Sequence, residues 1–207
     1  MRIIAGQWRG RALAGLGKGD KGAHLRPTTD RTRESLFSML AGGRFGDPLS
    51  GARVLDLFAG TGALGLEALS RGAASAVFVD DGRAATRLLR DNIALCEAQD
   101  DCRVIRRDAR RLPAAADAAP GFAPCNLVFL DPPYGKGLGE RALAAALAGG
   151  WVAPGALIVW EEGAAVTPPA DIEVLEARRY GDTMITLLRA GGDGARSAPG
   201  RVELPGR

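Results

Sequence analysis

The sequence predicts an α/β fold: a mostly parallel sheet covered by helices on both faces and finished by an antiparallel hairpin. Three observations carry this. From residue 53 onward, short apolar runs alternate with stretches of helical periodicity. The apolar runs are nearly continuous, the pattern of parallel strands buried on both faces. The last two runs are separated only by Tyr180-Gly181-Asp182, too short for a crossover, so they must pair antiparallel.

The elements follow in order. Arg2-Ile3-Ile4-Ala5-Gly6-Gln7-Trp8-Arg9-Gly10-Arg11-Ala12-Leu13 reads as a small hairpin broken at its glycines. A Gly/Lys-rich loop covers 14–25, and Asp30 can cap a helix of about 31–41 with Leu36, Phe37 and Leu40 on one face. Strands are expected at Arg53–Leu57, Ala76–Asp80, Arg103–Arg106, Leu127–Asp131 and Ala156–Glu161, and the closing pair near 171–179 and 183–189. Helices are expected between them at 63–71, 82–98, 108–117 and 138–149. The expected division is a basic hairpin extension (1–29), an α/β domain (30–189) and a disordered tail (190–207) rich in Gly, Pro and Arg. No internal repeat is visible.

Length and composition exclude several classes. A chain of 207 residues holds one domain with a sizeable core. No apolar run approaches the roughly 20 residues of a membrane span, and the N-terminus has no signal-peptide h-region. Cys96, Cys102 and Cys125 are odd in number and form no Cys-x-x-Cys, and His24 is the only histidine. That argues against a disulfide framework and a metal site, and fits a reducing cytoplasm. The net charge of +3 is unevenly placed: residues 1–33 carry eight Lys/Arg against two Asp. A basic leading segment on a slightly acidic body suggests a polyanion partner.

After the first strand comes Asp56-Leu57-Phe58-Ala59-Gly60-Thr61-Gly62-Ala63-Leu64-Gly65. Gly60, Gly62 and Gly65 satisfy G-x-G-x-x-G, and Asp80 ends the second strand, which is literally a dinucleotide fingerprint. Asp56 argues otherwise, because a carboxylate at the loop would repel the pyrophosphate that a helix N-terminus attracts. S-adenosylmethionine has no phosphate and carries an ammonium and a sulfonium, which Asp56 suits directly or through water. The glycines would let the backbone, from Phe58 to Gly62, approach the methionine and ribose. Asp80 would accept from the ribose hydroxyls. Asp108-Ala109 would meet the adenine, although Asp108 is equally placed to cap a helix.

Asp131-Pro132-Pro133-Tyr134 at the fourth strand end is the strongest signal. Two prolines remove two donors and fix φ, leaving a stiff turn with bare carbonyls and a carboxylate. Such a turn can accept both N–H bonds of an aromatic amine and favour the pyramidal nitrogen whose lone pair attacks. No strong base is needed, because the proton becomes acidic only as the N–C bond forms; positioning and electrostatics do the rest. Tyr134 would stack on the base.

Together these motifs resemble class I, Rossmann-like methyltransferases directed at amino groups. Arg2-Ile3-Ile4-Ala5-Gly6 with Arg9-Gly10-Arg11, then Leu25-Arg26-Pro27-Thr28-Thr29-Asp30-Arg31-Thr32-Arg33-Glu34-Ser35-Leu36-Phe37, and Tyr180-Gly181-Asp182-Thr183, are similar to the RsmD family of 16S rRNA guanine-N2 methyltransferases. The resemblance covers about residues 1–189. It implies a seven-stranded sheet, S-adenosylmethionine as donor and a guanine of small-subunit rRNA as acceptor, in free rRNA or an assembling subunit. It also implies that Arg26 and Thr28 lie over the methionine end of the cofactor. Asp80 stands where the family is expected to carry Glu.

An RNA substrate fits the basic first third. Arg2, Arg9, Arg11, Lys18, Lys21, Arg31 and Arg33 would hold phosphates, and Trp8 would stack on an unpaired base or fill the hairpin core. Arg31 or Arg33 could instead pair with Glu34 or the cofactor carboxylate. The target guanine must leave its stack. The expected working form is a monomer with no metal and no membrane partner. The competing readings are an amino methyltransferase acting on DNA adenine N6 or protein glutamine, an NAD-dependent dehydrogenase, and a non-catalytic RNA-binding module with the same fold, against which the intact Asp131-Pro132-Pro133-Tyr134 speaks. The first conflicts with the absence of a recognition domain and with Asp at 131; the second conflicts with Asp56.

Overall fold

The structure is a computed structural model and describes residues 1–15, 30–119, 121 and 123–192. Thirteen helices and strands follow one another: α1 (Asp30–Ala41), β1 (Arg53–Leu57), α2 (Ala63–Ser70), β2 (Ser75–Val79), α3 (Arg83–Leu95), β3 (Cys102–Ile105), a 3-10 turn (Ala109–Arg111), α4 (Ala115–Ala118), β4 (Cys125–Leu130), α5 (Leu138–Ala148), β5 (Val152–Glu162), β6 (Ile172–Tyr180) and β7 (Thr183–Ala190). The seven strands form one sheet in the order β3-β2-β1-β4-β5-β7-β6. The first five pair in parallel; β7 inserts antiparallel between β5 and β6.

The strands bury both faces, so period-2 alternation divides the core in two. Val54, Phe78, Phe129 and Val159 face α1, α2 and α3. Leu55, Val77, Val128 and Ile158 face α5 and the 3-10 turn. α3 is amphipathic: Ala85, Thr86, Leu89, Asn92 and Ile93 are buried, while Arg83, Arg87 and Arg90 line the exposed face. In α2 every residue from Leu64 to Ser70 is buried, because the helix is covered by the N-terminal segment as well as by the sheet.

Among its described residues, 1–15, that N-terminal segment contains no regular strands. One antiparallel bridge joins Arg2 and Ala12, and Ile3 N donates to Arg11 O at 3.0 Å. It is stapled to the helices beneath it. Glu67 in α2 accepts from Ile4 N at 2.7 Å and Ala5 N at 3.0 Å, and Gln7 N donates to Ser70 O at 2.8 Å. Asn92 in α3 accepts from Ala14 N at 2.7 Å. A Cβ on Gly6 would stand 1.7 Å from Ser70 O, so only glycine permits this approach. Ile3 and Leu13 belong to the core. The expected boundary at residue 29 lies outside the described residues.

Two expectations are corrected. The helix foreseen over 108–117 is broken into the 3-10 turn and α4, because Pro113 lacks an N–H and its carbonyl accepts from Trp151 Nε1 at 2.7 Å. Strands β2, β3 and β4 each end one residue earlier than expected, so Asp80, Arg106 and Asp131 stand just past them.

Candidate active site

The register of the parallel strands builds a level rim. Leu57 pairs with Val79 and with Leu130, and Val79 pairs with Ile105. The next residues, Phe58, Asp80, Arg106 and Asp131, therefore stand along one edge of the sheet. Ligands of open α/β sheets bind at this carboxyl edge.

The glycine loop leaves β1 and enters α2 under several restraints. Phe58 adopts φ 62°, a left-handed conformation that an aromatic residue rarely takes. Ala59 N donates to Val79 O at 3.0 Å and Gly60 N to the Asp80 carboxylate at 2.9 Å. Gly62 has φ 80°, and a Cβ there would lie 2.3 Å from Leu89 Cδ1. Gly65 cannot carry a side chain either, because its Cβ would meet Phe78 Cε1 at 2.3 Å. Asn92 donates to Thr61 O at 2.9 Å, tying the loop to α3. The loop's backbone is thus fixed by the chain's own groups.

Two acids brace it. Asp56 is 1% exposed and accepts from Gly65 N at 2.9 Å. Burial pushes its carboxyl up to about 7, against the lowering effect of that bond. It lies within β1, where its observed partner is the N–H of Gly65 in α2. Asp80 accepts from Gly60 N at 2.9 Å and Gly82 N at 2.8 Å, and burial raises its carboxyl despite both bonds. Asp108 caps the 3-10 turn through Arg110 N at 2.9 Å, and Arg110 Nη2 meets its other oxygen at 2.7 Å. Those bonds to Arg110 hold its carboxyl below the usual range. Of the two placements left open for Asp108, the cap is present. Ala109 beside it is buried.

The Asp131-Pro132-Pro133-Tyr134 turn leaves β4, which pairs with β1. Adjacent strands lie about 4.8 Å apart, so the turn and the glycine loop are immediate neighbours. Sequence reasoning missed what holds the turn. The Tyr134 hydroxyl donates to Glu161 Oε1 at 2.8 Å and lies 3.0 Å from Thr183 Oγ1. Burial is the main reason its pKa rises, so the phenol stays neutral. Gly135 N donates to Glu162 at 2.9 Å, and a Cβ on Gly163 would touch the Tyr134 ring at 3.1 Å. The end of β5 therefore clamps the turn. Glu161 and Thr183 follow Tyr134 by 27 and 49 residues, so no local signal could reveal them.

The residues foreseen as phosphate ligands are divided. Arg2, Arg9 and Arg31 are exposed, and Arg11 donates to Leu95 O. Trp8 packs against the core, and its backbone N donates to Ser70 Oγ at 3.0 Å. Arg33 is corrected: its side chain is 0% exposed, donates to Arg2 O and sits 3.1 Å from Asp30. A guanidinium without exposed surface cannot grip an RNA phosphate. The helical spacing of Arg33 with Leu36, Phe37 and Leu40 carried the signal, since all four share the buried face of α1. Lys18, Lys21, Arg26 and Thr28 lie outside the described residues.

A 3-2-1-4-5-7-6 sheet with a glycine loop after its first strand and an Asp-Pro-Pro-Tyr turn after its fourth defines the class I methyltransferase fold. The family description "Conserved hypothetical protein 95" matches residues 1–189, and the chain belongs to that family. It is 38% identical to ribosomal RNA small subunit methyltransferase D of Escherichia coli over 201 residues, covering 96% of this chain and 94% of the relative. It is 44% identical to the putative rRNA methyltransferase YlbH of Bacillus subtilis, over 65% of this chain and 67% of that one. Among solved structures, the putative methyltransferase yhhF from Escherichia coli superposes with a TM-score of 0.75 at 39% identity, covering 93% of this chain and 99% of that one. The chain is a methyltransferase of the RsmD family.

Proposed function

We propose that the protein transfers a methyl group from S-adenosylmethionine to the exocyclic N2 of a guanine in small-subunit rRNA. One observation carries the reading: β1 and β4 pair, so the glycine loop and the Asp-Pro-Pro-Tyr turn stand one strand apart on the same rim. A donor on the first then faces an amine on the second. The relatives' names supply the rRNA.

The residues fit such a cofactor. The loop amides and the α2 N-terminus are braced by two acids, which suits a cationic ligand and disfavours a pyrophosphate. Phe58, Gly60 and Gly62 would border the methionine and ribose, Asp80 would accept from the ribose hydroxyls, and Asp108 with Ala109 would meet the adenine beside Arg110. Arg26 and Thr28 would close over the methionine end. Asp56 would act through its field, holding the loop that carries the ligand. When bound, S-adenosylmethionine supplies an electrophilic methyl group.

The chain's own part is orientation. Asp131 and a carbonyl of the Pro-Pro turn accept from the two N2 hydrogens and turn the lone pair toward the donor. Tyr134, fixed by Glu161 and Thr183, offers its ring to the base, worth about 1–3 kcal/mol of stacking. The protein works as a monomer on free rRNA or an assembling subunit in the cytoplasm; among the described residues no helix is long and apolar enough to cross a membrane.

The test is methyl transfer from labelled S-adenosylmethionine to small ribosomal subunits lacking base methylation, followed by nucleoside analysis. N2-methylguanosine is the expected product. Another methylated nucleoside would overturn the acceptor assignment while leaving the Asp131 chemistry. In the same assay, Asp131→Ala is expected to retain cofactor binding and lose turnover by about a thousandfold or more. Near-normal turnover would refute the proposed chemistry.

A further inference from the structure

We propose that the rim beyond β3 is a docking surface for the RNA phosphates that flank the target base. The inference rests on the rRNA reading above and locates where that RNA is held. Arg106 follows β3 directly and stands in the same row as Asp131, three strand positions away through β2 and β1. Three spacings of about 4.8 Å put it roughly 14 Å from the methylation site. An interval of that length is within the reach of the nucleotides flanking an extruded guanine.

Arg106 has company. Arg107 and Arg111 follow it, and Arg83 opens α3 just past the end of β2; all four are exposed. Arg87 continues the Arg83 face one turn along the helix. Among the described residues, none of these five arginines is in a salt bridge. The local acids are largely committed. Asp108 is paired with Arg110, and Asp80 is turned to the amides of Gly60 and Gly82. Asp81 is the exposed exception.

The α3–β3 unit distributes its charges unevenly: Arg90 and Arg103 lie among acids, but arginines outnumber acids at the rim end. Asp91, Glu97, Asp100 and Asp101 all fall at the other end, in the last part of α3 and the loop leading into β3. The arginines gather where the strands end and the ligand edge begins. Guanidinium groups match phosphate with a planar fork of donors, and free ones are available at no cost in broken ion pairs. The N-terminal hairpin is placed differently. Glu67 and Ser70 hold residues 4–8 against the second half of α2, and Ala14 bonds the Asn92 side chain, which also donates to Thr61 O of the glycine loop, so the hairpin borders the α2–α3 side of the site rather than the β3 end of the rim.

The test reverses charge on the rim with Arg106→Glu/Arg107→Glu/Arg111→Glu and compares it with Arg2→Glu/Arg9→Glu on the hairpin. Filter binding of in vitro transcribed small-subunit rRNA is measured over a salt series. Cofactor binding and thermal unfolding monitor the fold, and a glutamine triple replaces the glutamate one if the latter does not fold. The rim variant is expected to bind at least about tenfold more weakly, with a slope of log K against log salt shallower by about two, the share of three phosphate contacts. Affinity within about twofold of wild type and an unchanged slope would overturn the proposal, as would a larger loss from the hairpin variant. If wild-type enzyme makes no N2-methylguanosine yet the rim reversal abolishes RNA binding, the acceptor reading fails and the docking surface stands.

Discussion

Asp56 joins the first strand to the glycine loop through a hydrogen bond from Gly65 N, and its side chain is buried. Burial lifts its carboxyl from 3.8 to about 7, so the folded chain binds this proton more tightly than the unfolded chain does. The sign follows from linkage: the group's contribution to stability is complete below about pH 4 and is lost as pH rises through about 7. Asp56→Asn keeps an acceptor for Gly65 and removes the titration. Urea unfolding of the cofactor-free protein should therefore show a flatter stability profile between about pH 4 and pH 7 in the variant; parallel profiles would refute the burial argument. Tyr134 makes the second residue-scale case. Its hydroxyl meets Glu161 and Thr183, so Tyr134→Phe keeps the ring and frees its orientation. A hydrogen bond to a charged partner is worth about 1.5–3 kcal/mol, so kcat/KM is expected to fall about tenfold or more, with cofactor affinity unchanged. Wild-type kinetics in the variant would mean that the turn needs no clamp.

At the scale of elements, the glycine loop works because its backbone is fixed by what surrounds it. Gly62→Ala would place a methyl 2.3 Å from Leu89 Cδ1 while holding a left-handed φ of 80°. The left-handed conformation alone costs about 1–2 kcal/mol, and the collision forces the buried Leu89 side chain to shift. Cofactor affinity measured by calorimetry should drop more than tenfold; an unaltered affinity would show that the loop adapts freely. Much of this element was legible in the sequence, because a glycine-rich turn between an apolar strand and a helix has few conformations. The Asp-Pro-Pro-Tyr turn was legible for the same reason: proline chemistry is local. Glu67 was not. In Ala63-Leu64-Gly65-Leu66-Glu67-Ala68-Leu69 it reads as the one solvent-facing residue, and it is buried because amides 62 and 63 residues away close over it. The rim arginines were hidden differently. Between residues 83 and 111 they are interspersed with acids, and only the antiparallel run of α3 against β3 brings Arg83, Arg87, Arg106, Arg107 and Arg111 to one end, while Asp91, Glu97, Asp100 and Asp101 lie toward the other with Arg90 and Arg103.

For the whole molecule, the N-terminal hairpin decides whether the protein is a domain with a basic arm or a single folded unit. Its hydrogen bonds end on Glu67, Ser70 and Asn92, and its side chains Ile3 and Leu13 are 1% and 7% exposed within the core. Glu67 is the critical partner. Without Ile4 N and Ala5 N it keeps, among the described residues, the bond from Arg71, whose Nε lies 2.7 Å away and whose side chain is 15% exposed, and the field of the buried Arg33. Deleting residues 1–13 would thus remove two buried aliphatic side chains, worth about 1.5–3 kcal/mol each, and leave a buried carboxylate short of donors. The expected loss of at least about 5 kcal/mol corresponds to a Tm lower by more than about 10 °C. A mobile docking arm predicts the opposite pattern: unchanged Tm and weaker RNA binding. Calorimetric unfolding of the truncated chain separates the two. If Tm holds, the staples seen on α2 and α3 contribute nothing to stability, and the basic leading segment regains the role that its charge alone suggested.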